Sequence, residues 1–279
     1  VIIRGIERRN IFRDDIDREE FLARLARLLP ETQTTCYAWA LMPNHAHFLL
    51  RTGEVPLATL MRRLLTGYAV RFNHRHRRNG LLFQNRYKSI VCQEDRYLTE
   101  LVRYIHLNAR RANIVSDMIQ LSRYPFSGHS ALLGQVKRPW QDMEYVLGYF
   151  GRTVSQARKA YATYVKAGEG QGRRHDLTGG GLLRSLGGWT EVKDQRRKGA
   201  ALIKSDERIL GESDFVEEVL ARANERYARR EAWKRRGIEL PQVIGRVAEV
   251  FQLDQQDVLG KGRQRQRVIA RSLLCFWAV

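Results

Sequence analysis

A Pro-Asn turn between two runs of strand-forming residues constrains the fold of this chain more than any other feature. Residues 34–41 are rich in strand formers, Met42-Pro43-Asn44 forms the turn, and His45 to Arg51 follows as a second strand. Strands joined by so short a turn pair antiparallel. Side chains two apart on a strand point to the same face, so His45 and His47 present two imidazoles side by side. With this spacing the two side chains could both be ligands of one metal ion, and they could equally be two half-buried histidines that bind nothing.

The order of elements predicts an α+β fold. We expect an antiparallel sheet with helices packed mainly on one face, a split-βαβ or ferredoxin-like arrangement. The predicted elements are a strand ending at Arg4, a helix over 17–29, strands over 34–41 and 45–51, a helix over 56–75, a strand over 81–92, and helices over 96–108 and 154–165.

Changes in residue composition along the chain indicate three domains. Residues 1–125 form the first, residues 126–205 a helical extension with a glycine-rich linker, and residues 206–279 an all-α region. No long uncharged apolar run is present, so a membrane partner is not expected.

The predicted helix over 96–108 carries a candidate nucleophile and a candidate metal ligand. Tyr104 and Asn108 are four residues apart and therefore share one helical face with Glu100 and Arg111. If that face meets the histidine pair, Asn108 becomes a third metal ligand and Tyr104 a nucleophile beside the metal. Two imidazoles and one amide oxygen with open positions suit Mg²⁺ or Mn²⁺ on a phosphate oxygen better than a closed zinc site.

Other interpretations of the same helix remain open. Asn108 could cap the end of the helix, and Tyr104 could pack without reacting. Tyr87, Tyr97 and Tyr124 are rival tyrosines on the same grounds, whereas His106 faces away from Tyr104 and is expected to be structural.

The charge balance indicates a polyanionic partner. Lys and Arg number 49 against 30 Asp and Glu, which gives a formal net charge of +19. Neutralising phosphates releases condensed counterions, so nucleic acid is the expected partner. The three cysteines are far apart and odd in number, which argues against a disulfide framework and suits a reducing cytoplasm.

Residues 41–50 together with Arg103-Tyr104-Ile105-His106-Leu107-Asn108 resemble the single-tyrosine HUH transposases of the IS200 type. Within that family they are most similar to the branch associated with repetitive extragenic palindromes. The resemblance implies the HUH endonuclease fold, with His45, His47 and Asn108 as metal ligands and Tyr104 as nucleophile. It also implies cleavage and rejoining of single-stranded DNA at hairpins through a 5′-phosphotyrosine. The family usually has proline after the asparagine, where this chain has Ala109.

Two alternative functions stay open beside that reading. One is a non-catalytic DNA-binding regulator on the same fold, and the other is a metal-dependent hydrolase that uses water. Relatives act as dimers or as monomers, so the chain is expected to be a monomer or a homodimer.

Basic and polar residues after the second helix are candidates for holding DNA, although each could equally be a solvated surface charge. They are Arg71, Arg75, Arg77, Arg78, Gln84, Arg86 and Lys88.

The last 40 residues read as a second DNA-binding module. An apolar helix over 243–251, a turn and a short helix over 255–259 precede a strongly basic helix, as in a helix-turn-helix that reads duplex DNA. The block resembles the C-terminal domain of the replication initiator DnaA; a helical cap with a charged face is the alternative. Its candidate DNA contacts are Lys261, Arg263, Arg265, Arg267 and Arg271.

Overall fold

The computed structural model describes residues 1–171, 177, 208–235, 240–260, 262 and 264–277. The chain divides into two compact units, Val1–Val216 and Glu217–Val279. Residues 178–181, which belong to the expected glycine-rich linker, lie outside the described residues, as do Lys261 and Arg263. The three domains expected from the sequence therefore stay predictions.

A three-stranded antiparallel sheet forms the centre of the first unit. Its strands are β1 (Ile2–Arg4), β2 (Thr35–Met42) and β3 (His45–Arg51), in the order β1-β3-β2. The predicted β2–β3 hairpin is confirmed, because Met42 pairs with His45 and Ala40 with His47. On the other side of β3, Arg4 pairs with His45.

Two antiparallel helices, α1 (Asp15–Glu31) and α2 (Leu57–Arg75), cover the sheet face opposite the histidines. The side chain of Asp14 caps α1 by accepting a hydrogen bond from the Asp17 N–H at 3.0 Å. Apolar residues at helical spacing pack against the sheet residues Trp39 and Phe48. They are Phe21, Leu25, Leu28, Leu60, Leu64 and Tyr68.

Helices also cover the histidine face, so the expectation of helices mainly on one face is wrong. Residues Thr35–Met42 are apolar almost throughout, and β2 is consequently buried on both sides. On this second face Ala38, Ala40 and Met42 belong to one buried apolar cluster with residues of several helices. The helices in this region are α3 (Glu94–His106), α4 (Asn108–Arg111), α5 (Met118–Arg123), α6 (Gly128–Leu132), α7 (Met143–Gly148) and α8 (Val154–Ala167).

The strand expected over 81–92 is not continuous, and this is a second correction. Residues 82–88 run antiparallel along the outer edge of β1, where Gln84 donates to Arg4 O and Lys88 to Ile2 O. The step from Gln84 to Lys88 is four residues long, whereas the paired step from Arg4 to Ile2 is only two. The extra residues form a bulge, in which Asn85 has a φ of 102°. Only β4 (Val91–Cys92) is regular, and it pairs parallel with β5 (Ile209–Leu210).

The second unit contains a compact three-helix cluster. A long helix, α9 (Ser213–Arg235), precedes α10 (Leu240–Phe251), α11 (Gln255–Leu259) and α12 (Arg265–Trp277). The small core of the cluster comprises Ile244, Val247, Ala248, Val258, Ala270 and Leu274. Within the described part of the chain, none of the helices has the length and apolar composition needed to cross a membrane.

Candidate active site

The hairpin turn fixes the position and tautomer of His45. The Pro43 carbonyl accepts from Ile11 N–H at 2.8 Å, and Asn44 Nδ2 donates to Arg8 O at 3.1 Å. These contacts aim Asn44 Oδ1 at His45 Nδ1, 2.6 Å away. An amide oxygen can only accept, so the proton lies on Nδ1 and Nε2 keeps its lone pair for a metal.

His47 lies deeper than His45, and both imidazoles are neutral at physiological pH. Their ring centroids are 5.3 Å apart. Burial lowers the pKa of His45 to about 4, with a smaller contribution from the charge of Arg4. Burial likewise lowers the pKa of His47 to about 3, aided by the charges of His45, the amino terminus and Arg4. Neutral imidazoles are the form that binds metal.

Helix α3 brings Tyr104 to the histidine pair. The Tyr104 ring packs edge to face against His47 with centroids 6.3 Å apart. The rival tyrosines lie elsewhere: the Tyr124 hydroxyl donates to Leu41 O at 3.1 Å, Tyr97 packs beside Leu101, and Tyr87 packs on the opposite sheet face.

Helix α3 runs antiparallel to strand β3. Glu94 at the start of α3 is 3.9 Å from Arg51 at the end of β3, and Tyr104 contacts His47. Ten helical residues rise roughly 15 Å and four strand residues about 13 Å, so helix and strand run antiparallel in step. Asn108 follows Tyr104 by four residues and lies in α4, beyond the end of α3.

Asn108 begins a new helix instead of ending the first. Leu107 separates α3 from α4, so the single helix expected over 96–108 stops at His106, and Asn108 is not its C-cap. The side chain is half-buried, and its Nδ2 is buried without a hydrogen-bond partner in the described part of the chain. A metal ion would take the other end of this amide, the Oδ1 oxygen, because Nδ2 has no free lone pair. Groups of three or more His, Cys, Asp or Glu suited to a metal are not found among the described residues.

Arg111 contacts Tyr104 twice. Its guanidinium carbon lies 5.2 Å from the centroid of the Tyr104 ring, and Nη1 donates to Tyr104 O at 3.4 Å. A cation over an aromatic face is attracted by the ring quadrupole. Tyr104 is thus flanked by His47 on one side and by a permanent positive charge on another.

A cleft of about 410 Å³ opens beside these groups. His47 and Tyr104 line it together with Leu49, Leu101 and Cys92. Burial raises the pKa of the Cys92 thiol to about 11, so this cysteine is an inert wall residue.

His106 has the structural role expected from the sequence. It is fully buried, and its Nδ1 lies 2.7 Å from the Tyr161 hydroxyl, which is also 2.6 Å from His129 Nδ1. This network ties α3 to α6 and α8, so it holds the helix that carries Tyr104.

Some of the candidate DNA contacts lie on the histidine face. Lys88 forms a β-bridge with Ile2, and Ile2 pairs with His47, so Lys88 shares the face of His47. Phe83 packs into the core on the opposite face, so the next residue, Gln84, points toward the histidine face. Arg4 pairs with His45 and is exposed, and among the described residues no carboxylate pairs with it. Sequence reasoning missed Arg4 because only the register of β1 reveals its position.

The remaining candidates on the first unit have mixed surroundings. Arg75 is engaged with Asp14 and the fully buried Asp17, and Arg71 pairs with Glu20 at 2.7 Å. Arg78 bonds Asn73 and Leu81 O, whereas Arg77 and Arg86 are exposed.

In the second unit two candidate arginines have protein partners. Arg267 pairs with Asp257 at 2.8 Å, and Arg271 donates to the carbonyls of Gly260 and Gly262. Arg265 at the start of α12 is exposed.

One family model and one solved structure are similar to part of this chain. Residues 1–108 match the family model described as "Transposase IS200 like". No curated protein matches the chain. A solved structure titled "Structure of the REP associates tyrosine transposase bound to a REP hairpin" is similar at 15% identity and a TM-score of 0.37, covering 50% of this chain and 88% of that one. The family match spans β1 to Asn108, including the histidine pair and Tyr104, and it confirms the resemblance found in the sequence: residues 1–108 of this chain are similar to the IS200-like transposases.

Proposed function

We propose that the chain is a metal-dependent endonuclease and strand transferase for single-stranded DNA, with Tyr104 as its nucleophile. A transposase function follows from the family; the chemistry is our inference. The observation that carries it is the contact between Tyr104 and His47, in a pair of neutral imidazoles whose rings are 5.3 Å apart.

His45, His47 and Asn108 are the proposed ligands of Mg²⁺ or Mn²⁺. Support comes from the free Nε2 of His45 and the lowered pKa values of both histidines, and the role of Asn108 rests on the family resemblance. A divalent ion held there polarises the scissile phosphodiester and offsets its charge.

The proposed reaction conserves bond energy. The Tyr104 oxygen attacks the phosphorus and loses its proton, a P–O bond to the upstream sugar breaks, and that 3′ oxygen gains a proton. The product is a 5′-phosphotyrosine and a free 3′-hydroxyl. In strand transfer a 3′-hydroxyl attacks the same phosphorus and Tyr104 leaves, so no nucleotide cofactor is needed.

Arg111 is the proposed positioning residue for Tyr104. Its two contacts restrict the rotation of the ring, and its charge stabilises the negative charge that develops on the phenolic oxygen as tyrosine attacks or leaves. Arg111 thereby supports both directions of the reaction.

The proposed DNA partner is a single strand with hairpins. Arg4, Gln84 and Lys88 form an exposed polar row on the sheet face that carries the histidines. Such a row suits a phosphate backbone that passes the metal site.

The proposed role of the second unit is duplex reading by a helix-turn-helix. The packing of α10, α11 and α12 around one core and the exposed Arg265 at the start of α12 support it. Arg265→Gln is expected to weaken duplex binding without changing adduct formation on single strands, as measured by fluorescence anisotropy and by gel. Unchanged duplex binding at several salt concentrations would contradict this role.

The deciding experiment is incubation with hairpin-bearing single-stranded DNA and Mg²⁺ or Mn²⁺, followed by a denaturing gel and mass spectrometry. We expect a covalent adduct on Tyr104 that is lost in Tyr104→Phe and in His45→Ala. Tyr97→Phe is the matched control, since Tyr97 is on the same helix without a contact to the histidine pair. Binding without an adduct across many hairpins would favour a regulator, and cleavage that survives Tyr104→Phe would identify water as the nucleophile.

A further inference from the structure

The seam between α1 and α2 changes its charge pattern partway along. At one end α2 supplies arginines and α1 supplies carboxylates: Arg75 faces Asp14 and Asp17, and Arg71 faces Glu20. These pairs follow the antiparallel packing of the two helices, one helical turn per pair.

One turn further the acidic partner is replaced by arginine. The next α1 positions on the seam carry Arg24 and Arg27, and α2 contributes Arg62 and Arg63. Arg63 pairs with Glu31, but no carboxylate pairs with Arg24, Arg27 or Arg62 among the described residues. Like charges across a helix seam repel, so this stretch destabilises the fold unless an anion joins it.

Gly67 leaves the space that the Arg24 guanidinium occupies. A Cβ at this position would lie 2.2 Å from Arg24 Nη1, so the guanidinium lies where any larger residue on α2 would place its side chain. Glycine inside a helix costs about 1 kcal/mol relative to alanine. Arg24 Nε is also buried without a hydrogen-bond partner among the described residues. A buried guanidinium N–H without a partner calls for an explanation, and a bound anion that draws the guanidinium outward would supply one.

The four arginines line a cleft of about 420 Å³, floored by Leu28, Thr66 and Gly67. We propose that this arginine cleft binds the phosphate backbone of DNA, at a surface separate from the site of strand cleavage. The α1–α2 layer covers the sheet face opposite the histidines, so DNA held here is a different segment from the one presented to Tyr104. The choice of DNA as the occupant rests on the proposed function.

The energetics favour a backbone over a single free anion. Planar guanidinium groups bind phosphate oxygens in pairs, and successive phosphates of one strand engage neighbouring arginines without further ordering cost. Each phosphate neutralised on duplex DNA changes the slope of log affinity against log salt by about 0.9.

The test compares two double variants of the full chain for binding to a hairpin with a duplex stem. Arg27→Gln/Arg62→Gln removes two exposed cleft charges and leaves the half-buried Arg24 in place. Arg152→Gln/Lys159→Gln removes two exposed charges near the start of α8 and is the matched control. We expect the cleft variant to bind roughly tenfold more weakly at low salt and to lose about two units of salt slope, with little change in the control.

Three outcomes separate the possibilities. A selective loss in the cleft variant supports the assignment, and equal losses in both variants overturn it. If inorganic pyrophosphate raises the Tm of the native chain and not of the cleft variant, while hairpin binding is the same in both, the cleft binds a free phosphate compound and the DNA assignment is wrong. Adduct formation on a short unpaired strand is measured in parallel; its absence in the native chain would count against the proposed chemistry and leaves the binding result intact.

Discussion

The hydrogen bond from His45 to Asn44 predicts a graded effect on metal affinity. Asn44→Ala removes the acceptor, 2.6 Å from Nδ1, that holds the imidazole in its Nε2-accessible tautomer. Loss of such an outer partner lowers metal affinity about 10- to 100-fold. Because the amide is neutral, we expect the lower end, a roughly tenfold rise in the Kd for Mn²⁺, or about 1.4 kcal/mol.

Asn44→Asp is the informative companion. Both variants lose the bond from Asn44 Nδ2 to Arg8 O, so any shared effect reports on the turn. Only Asp keeps an acceptor for His45, and a charged acceptor strengthens the bond. The difference between the two variants therefore isolates the contribution of the tautomer.

The assay is calorimetric titration with Mn²⁺ in the absence of DNA, together with the Mn²⁺ dependence of adduct formation. We expect Asn44→Asp to bind Mn²⁺ at least as tightly as the native chain and Asn44→Ala about tenfold more weakly. Equal metal affinity in the two variants would refute the reasoning, and so would native affinity in Asn44→Ala.

Four further predictions follow from the ion pairs and the proposed site. Arg75→Met is expected to lower the free energy of unfolding, because the fully buried Asp17 loses its guanidinium and keeps, among the described residues, only His76 Nε2 and the Arg13 N–H; urea denaturation measures it, and an unchanged unfolding midpoint would contradict it. Hydrogen bonding to Arg75 holds the pKa of Asp14 at about 2, so its contribution to stability exists above the ordinary carboxyl pKa and is lost as pH falls toward 2. The same variant should therefore unfold in acid at a higher pH, as followed by circular dichroism. Arg111→Met should slow adduct formation on Tyr104 at least tenfold with unchanged hairpin affinity, while Arg111→Lys should recover part of the rate. Equal rates of adduct formation in the Met and Lys variants would contradict a role for the charge of Arg111. Chelation should abolish the adduct, and Mn²⁺ should restore it; an adduct that forms in EDTA would remove the metal from the reaction.

The sequence predicted the local elements that depend on spacing alone. The Pro43-Asn44 turn and the alternation of His45 and His47 follow from short-range geometry, and β3 has the predicted bounds. The helix expected over 56–75 is also confirmed, as α2. Family resemblance supplied the role of Tyr104, which spacing left among four tyrosines.

Features that depend on long-range pairing were not predicted. The second helical layer covers the histidine face because β2 is buried on both sides. From the sequence alone, the apolar run of β2 could equally be a buried helix, so this layer was not predicted. Irregular pairing along β1 depends on the bulge at Asn85, and the position of Arg4 depends on register. At the break at Leu107, Arg111 Nη1 donates to the Tyr104 carbonyl, a contact that helical periodicity does not reveal.

Both edges of the central sheet are closed by irregular chain. Along β2, Leu41 N–H donates to Phe126 O and Cys36 O accepts from Asp142 N–H, each at 2.9 Å. Along β1 the segment that contains Lys88 takes the equivalent bonds. Unpaired edges are where β-proteins add foreign strands, join their sheets across a two-fold axis or begin to aggregate. A second copy could extend this sheet only after peeling away one of these segments, so any homodimer is expected to meet through its helices and not through a shared sheet.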